Sequence, residues 1–374
     1  MSTTPTLEIH PQARDSLKKL RLQGPLKKHF SQVAFEIDLS DNTNPLSPYL
    51  PNYPVIDPVE LKKLYLDYIG NPNLTPEHML FTVGAADGID LILRGFAQPP
   101  YDVICLTDPT YFAYEHWATL YDLPVKKVPL TGDHFEELSV EDIQRTNPKI
   151  FILCNPNNPT GTQVRPETIE KICQTVKGLV VIDEAYIEFS DQESSTKILH
   201  KYENLVILRT LSKAWGMAGA RCGIILGDPR IIYSLLYVQA PFSFSIPTQN
   251  AVREGLTNST PLKQSWEIIK HERDQLVNNL KGLSCIKKVY PSQANFVMVT
   301  LKDYENTFPR LLQSGIYVAS CRWAVPNSIR ISVSTESNNQ ALFDALNQCS
   351  TGDGSSCEIP STPKGIKRDG TSSF

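Results

Sequence analysis

Between about Asn52 and Leu280, short apolar runs alternate with stretches whose apolar residues recur at helical spacing. The runs are Met79–Val83, Val103–Leu106, Ile150–Cys154, Leu179–Ile182, Leu205–Leu208 and Cys222–Leu226. Runs this short and uniformly apolar predict strands buried on both faces, as in a mainly parallel sheet. Helical patterns fall between them at Asp87–Ala97, Tyr111–Tyr121 and Thr168–Val176. The alternation predicts an α/β architecture with helices on both faces of the sheet. Pro261–Leu280 predicts a long polar helix, with proline at its start, that leads out of this unit. After it, Asn295–Thr300, Thr307–Ser314, Ile316–Ala319, Ile329–Val333 and Asn339–Gln348 read as strand, helix, strand, strand, helix, a smaller α+β unit. The expected division is an arm over 1–50, with one amphipathic stretch at Ser16–Phe30 and part of the small unit, then a large unit over 51–281 and a small unit over 282–349. Residues 350–374 are rich in Ser, Thr, Gly and Pro, nearly lack large apolar side chains, and predict a disordered tail.

The chain has 374 residues, room for two packed lobes. A net charge of −4 gives no basis for a nucleic-acid or anionic-membrane partner. No window reaches the roughly 18 apolar residues of a membrane span, and Met1–Leu20 lacks the apolar stretch of a signal peptide. The eight cysteines form no CxxC pair and no zinc-type cluster. Several sit inside apolar runs, which predicts reduced, buried thiols in a cytoplasmic protein and no metal centre.

Four blocks carry candidate chemistry. The first runs from Thr210 to Gly223 between two apolar strands and contains Ser212, Lys213 and Arg221. An isolated buried ammonium is unfavourable, whereas a desolvated lysine with a lowered pKa is a free amine that attacks an aldehyde. The hydroxyls of Thr210 and Ser212 with the Arg221 guanidinium make a phosphate clamp. The second block, Asn155–Gly161, follows the run Ile150–Cys154, and ligands in open α/β sheets bind beyond strand carboxyl ends. Its two prolines stiffen the loop that carries Asn158. A plain turn has the same composition. The third block, Val180–Tyr186, ends an apolar strand on Asp183, whose carboxylate needs a partner such as a protonated pyridine nitrogen. A Walker-B metal site is the alternative there, but no GxxxxGK[ST] loop accompanies it. The fourth block, Thr82–Ile92, turns through Gly84, Ala85 and Ala86 into an amphipathic helix, whose first amides can bind phosphate.

In this order and at these distances the blocks resemble the fold-type-I aminotransferases that use pyridoxal phosphate, and among them the histidinol-phosphate aminotransferases. The likeness runs from about Asp38 to Val333 through Asn42–Pro45, Asn52–Pro54, Gly84–Asp87, Asp108–Tyr111, Asn157–Gly161, Asp183–Tyr186 and Leu211–Arg221. It implies a large domain with a mostly parallel central sheet flanked by helices, plus a smaller α+β domain. It implies that Lys213 carries pyridoxal 5'-phosphate and shuttles the proton at the substrate's α-carbon. Asp183 would pair with the ring nitrogen, Asn158 and Tyr186 would bond the ring oxygen, and Tyr111 would stack on the ring. Thr210, Ser212, Arg221 and the Ala85 and Ala86 amides would hold the phosphate. Tyr53 would reach the phosphate of a neighbouring subunit, so a homodimer with shared sites is expected. Arg330 would bind the acidic group of the substrate.

Two departures bear on the substrate. Where the family usually has an arginine after the strand Ile316–Val318, this chain has Ala319, with Arg322 further on as the expected substitute. No tyrosine precedes Tyr49 in the arm, where many members carry one. The leading expectation is transamination between histidinol phosphate and 2-oxoglutarate. The rivals are an aromatic or other amino-acid aminotransferase, a threonine-phosphate decarboxylase on the same scaffold, and a non-catalytic cofactor-binding regulator. Lys213, Asp183 and Arg221 together speak against the last.

Overall fold

The computed structural model describes residues 8–21, 26, 29, 37 and 39–351. An eight-stranded sheet is built from β1 (Met79–Thr82), β2 (Ile104–Asp108), β3 (Val125–Thr131), β4 (Glu137–Leu138), β5 (Ile150–Cys154), β6 (Leu179–Asp183), β7 (Leu205–Thr210) and β8 (Gly223–Gly227). Their order is β1-β8-β7-β6-β5-β2-β3-β4. The run β3-β2-β5-β6-β7 is parallel, while β8 lies antiparallel to both β7 and β1, and β4 antiparallel to β3. Every position of β5, β6, β7 and β8 is buried, the reason these strands read as unbroken apolar runs.

β3 and β4 are additions to the expected set. In β3 the side chains of Val128 and Leu130 are buried while Lys126, Lys127, Pro129 and Thr131 are exposed. A sequence with lysines and a proline reads as a loop, yet near a sheet edge one wet face accepts all of them. The helices Ala85–Phe96, Ala113–Leu120, Pro166–Thr175 and Pro229–Val238 flank the sheet.

The helix Ser259–Lys281 starts two residues before the expected proline and buries only Trp266, Arg273, Leu276 and Leu280. It leads to a second, four-stranded antiparallel sheet of order β11-β12-β10-β9, formed by β9 (Ile286–Val289), β10 (Phe296–Leu301), β11 (Ala319–Ser320) and β12 (Ser328–Ser332). Helices Tyr304–Gln313 and Glu336–Thr351 pack together beside it. This sheet has its own core around Leu280, Val299, Leu311, Ile329 and Leu346, distinct from the core of the large sheet. The strand expected at Ile316–Ala319 is corrected: only Ala319 and Ser320 pair, with Arg330 and Ile329, at the sheet edge. Tyr317 there is largely solvent-exposed while Val318 packs into the small core, so apolar composition marked a packed loop rather than a ladder. Residues 22–25, 27, 28 and 30 of the expected amphipathic stretch, and residues 352–374 of the expected tail, lie outside the described residues.

Candidate active site

Strand register assembles the site. Cys154 pairs with Asp183 across β5 and β6, Thr210 with Gly223 across β7 and β8, and Gly223 with Thr82 across β8 and β1. The carboxyl ends of β1, β5, β6 and β7 therefore meet on one edge of the sheet, beside the start of β8. The cavity there encloses about 470 Å³. Ala85, Ala86, Tyr111, Asn158, Asp183, Tyr186, Thr210, Ser212, Lys213, Arg221 and Arg330 all line it.

Asp183 ends β6 and is almost fully buried. Burial raises its pKa, against which the Tyr114 hydroxyl and the Ala185 amide stabilise the ionised form. Tyr114 donates to Oδ2 at 2.7 Å and the Ala185 amide to Oδ1 at 3.0 Å. Lys213 follows β7, with Nζ 5.7 Å from the centroid of the Tyr186 ring. Its pKa is lowered, first by burial and next by the Arg330 charge, which favours the free amine.

At the other end of the cavity lies an anion cradle. Gly84 caps the helix Ala85–Phe96 at φ 82°, with no side-chain cap for the first amides. A Cβ on Gly84 would sit 2.7 Å from an Arg221 terminal nitrogen, and one on Gly223 would sit 2.3 Å from the Gly84 carbonyl carbon. Both glycines are required for guanidinium, strand and helix terminus to come this close. Arg221 itself takes a left-handed backbone, φ 55°, strained for a non-glycine residue. Thr210 Oγ1 accepts from the Ser212 amide at 3.1 Å, and both residues line the cavity. A phosphorylated pyridine aldehyde fits this set: uncapped amides and Arg221 for the phosphate, a buried carboxylate with acceptor capacity to spare for the ring nitrogen, and a lysine whose pKa burial lowers for the carbonyl.

The third wall comes partly from the small sheet. Arg330 on β12 donates to Asn158 Oδ1 at 2.6 Å and lies over the Phe296 ring at 5.1 Å. Asn158 in turn donates to the Tyr186 hydroxyl at 3.4 Å. Ala319, Ser320, Cys321 and Trp323 complete the wall.

Two expected residues stand outside. Tyr53 is half exposed and stacks on Phe242, ring centroids 4.2 Å apart. Arg322 is absent from the lining. It pairs with Glu305 at 2.9 Å and lies over Tyr304, both on the helix Tyr304–Gln313. Sequence reasoning passed over Tyr114, Cys154, Phe112 and Trp323, all in the lining. Tyr114 carried no signal of its own, because a tyrosine on an apolar helix face also suits a plain core.

The model of the family "Aminotransferase class I and II" matches residues 46–346. The chain is 32% identical to the histidinol-phosphate aminotransferase of Flavobacterium johnsoniae over 347 residues, which is 91% of this chain and 98% of that protein. It is 32% identical to the enzyme of the same name from Salmonella arizonae over 92% of this chain and 99% of the relative. Among solved structures, the histidinol-phosphate aminotransferase of Clostridium acetobutylicum superposes with a TM-score of 0.74 at 24% identity, covering 81% of this chain and 91% of the other. On the matched residues 46–346, which span the cavity-forming strands and loops described above, this chain belongs to the aminotransferase class I and II family.

Proposed function

We propose that this aminotransferase moves an amino group between L-histidinol phosphate and 2-oxoglutarate, with pyridoxal 5'-phosphate carried on Lys213. The observation that supports it most is the convergence of Lys213, Asp183, Arg221 and Arg330 on one cavity, in a chain collinear with histidinol-phosphate aminotransferases. When bound, the cofactor supplies an electron sink for the pair left at the substrate's α-carbon. The Lys213 amine, already biased toward its free form, holds the cofactor and then carries the proton to and from that carbon. Asp183 keeps the ring nitrogen protonated. Asn158 and Tyr186 bond the ring oxygen, and Tyr111 covers the ring. Thr210, Ser212, Arg221 and the amides of Ala85 and Ala86 bind the phosphate. Arg330 binds the acidic group of each substrate in turn, with Asn158 fixing its guanidinium.

In this reading residues 51–281 are the cofactor-binding unit and 282–349 the unit that supplies Arg330. The active assembly is a homodimer in which Tyr53 reaches the partner's cofactor phosphate, and the enzyme works in the cytoplasm, in histidine biosynthesis. Six of the described cysteines are buried, in keeping with a reducing compartment. A second reading has one specific observation behind it. The stretch Ala319–Cys321 in the cavity wall carries no charge and Arg322 is tied to Glu305, which favours an unphosphorylated aromatic donor.

The test starts with borohydride reduction of the purified holoprotein and a peptide map. Cofactor fixed to Lys213 is the expected result, and cofactor on a different lysine overturns the assignment. L-Histidinol phosphate should then bleach the visible cofactor band and 2-oxoglutarate restore it. Bleaching by phenylalanine or tyrosine but not by histidinol phosphate would transfer the case to the second reading. Release of carbon dioxide from threonine phosphate would identify a decarboxylase instead.

A further inference from the structure

Tyr114, on the helix Ala113–Leu120, is wholly buried and gives its hydroxyl proton to Asp183 Oδ2 at 2.7 Å. A buried phenol and a buried carboxylate are each unfavourable alone, and here each answers the other. The contact also fixes the plane of the carboxylate, because Tyr114 holds one oxygen and the Ala185 amide the other. A carboxylate has about four lone-pair sites. Two are used, so Asp183 keeps acceptor capacity for a cation entering the cavity it lines.

We propose that Tyr114 is a positioning residue for the cofactor: its hydroxyl keeps the Asp183 carboxylate ionised and locked in rotation, and so sets how firmly the ring nitrogen is gripped. The proposal rests on the reading that Asp183 pairs with that nitrogen. Tyr114 remains a proton donor throughout the working range, since burial and the Asp183 charge hold its pKa well above that of an ordinary phenol. The other groups facing Asp183 are Cys154 on β5, Glu184 next to it in the chain, Lys213 after β7, and the phenols Tyr111 and Tyr186. Burial raises the pKa of Cys154, Tyr111 and Tyr186, so none of these three ionises near neutral pH. Donation by Tyr114 favours the charged carboxylate, so its removal must move the Asp183 titration to higher pH.

The experiment is equilibrium dialysis of full-length Tyr114→Phe, Asp183→Ala and the double variant against pyridoxal 5'-phosphate. A hydrogen bond to a charged group predicts that Tyr114→Phe raises the cofactor dissociation constant by roughly ten- to a hundredfold. The acid limb of its kcat/KM profile at saturating cofactor should move to higher pH. On the Asp183→Ala background the phenylalanine should add nothing. A lower melting temperature with unchanged affinity and pH profile would reduce Tyr114 to a packing role and overturn the proposal. If Asp183→Ala itself leaves affinity unchanged, the assignment of Asp183 fails instead. Should Tyr114→Phe not fold, 3-fluorotyrosine at position 114, a stronger donor, must tighten cofactor binding; unchanged or weaker binding overturns the proposal.

Discussion

Arg330 and Arg322 share a charge and a neighbourhood, and their surroundings separate them. Arg330 lies between Asn158 and the Phe296 ring, facing the cavity. Arg322 is half exposed and pairs with a still more exposed Glu305, an arrangement worth only about 0–1 kcal/mol. Arg322, expected to replace the missing phosphate ligand, here stands outside the cavity lining beside Glu305. Arg322→Ala should leave the Michaelis constant for the amino donor within about twofold, whereas Arg330→Ala should lower kcat/KM by roughly ten- to a hundredfold, the weight of a charge-assisted hydrogen bond. Steady-state kinetics of both variants with histidinol phosphate and with glutamate decides it. A tenfold rise for Arg322→Ala would mean that this arginine swings into the cavity. Lys213, Asp183 and Arg221 were legible because each puts a charged group against a buried strand, where ordinary packing has no use for one. Tyr114 and Cys154 were not, because a tyrosine on an apolar helix face and a cysteine in an apolar strand also suit a plain core.

The loop Asn155–Gly161 shows how an element positions a side chain. The Asn155 side chain accepts from the Val164 amide, and Asn157 bonds the Pro109 carbonyl, Thr110 and Thr160. Gly161 closes the loop at φ 77°, and a Cβ there would lie 2.4 Å from Ser292 Oγ. Its carbonyl accepts from the Gln293 amide at 2.7 Å, which fastens the loop to the segment that enters β10. Gly161→Ala should destabilise the protein by about 1–3 kcal/mol through backbone strain and overpacking, and weaken turnover by loosening Asn158. Thermal denaturation and kinetics measure the two effects. An alanine variant with wild-type melting and wild-type rate would show that the loop yields freely. At this scale the fully buried strands were readable and the half-exposed ones were not. β3, β9 and β11 mix lysines, a proline or very short runs into the pattern, and only their neighbours in the sheets make them strands.

Across the whole molecule, apolar side chains crowd onto the surface between residues 37 and 55. Leu39 and Leu46 are each 90% exposed and Tyr49 85%. Clustered exposed apolar groups mark an interaction surface, and the proposed homodimer gives this one an occupant. Light scattering of cofactor-loaded, active protein should give twice the 41.9 kDa chain mass. Full activity at the mass of one chain would exclude shared sites.

By itself the sequence determined the α/β class, the strands buried on both faces and the residues whose chemistry has no place in a core. These properties are local: a short window contains both the apolar run and the polar residue that ends it. Tertiary structure decided which of those residues meet. Strand order and register bring Thr82, Cys154, Asp183 and Thr210 to one edge although long stretches of chain separate them. The same long-range packing set Glu305 of the helix Tyr304–Gln313 beside Arg322 and Asn158 beside Arg330. It also put the Tyr114 hydroxyl on Asp183, a contact between a helix face and a strand end that no sequence spacing encodes.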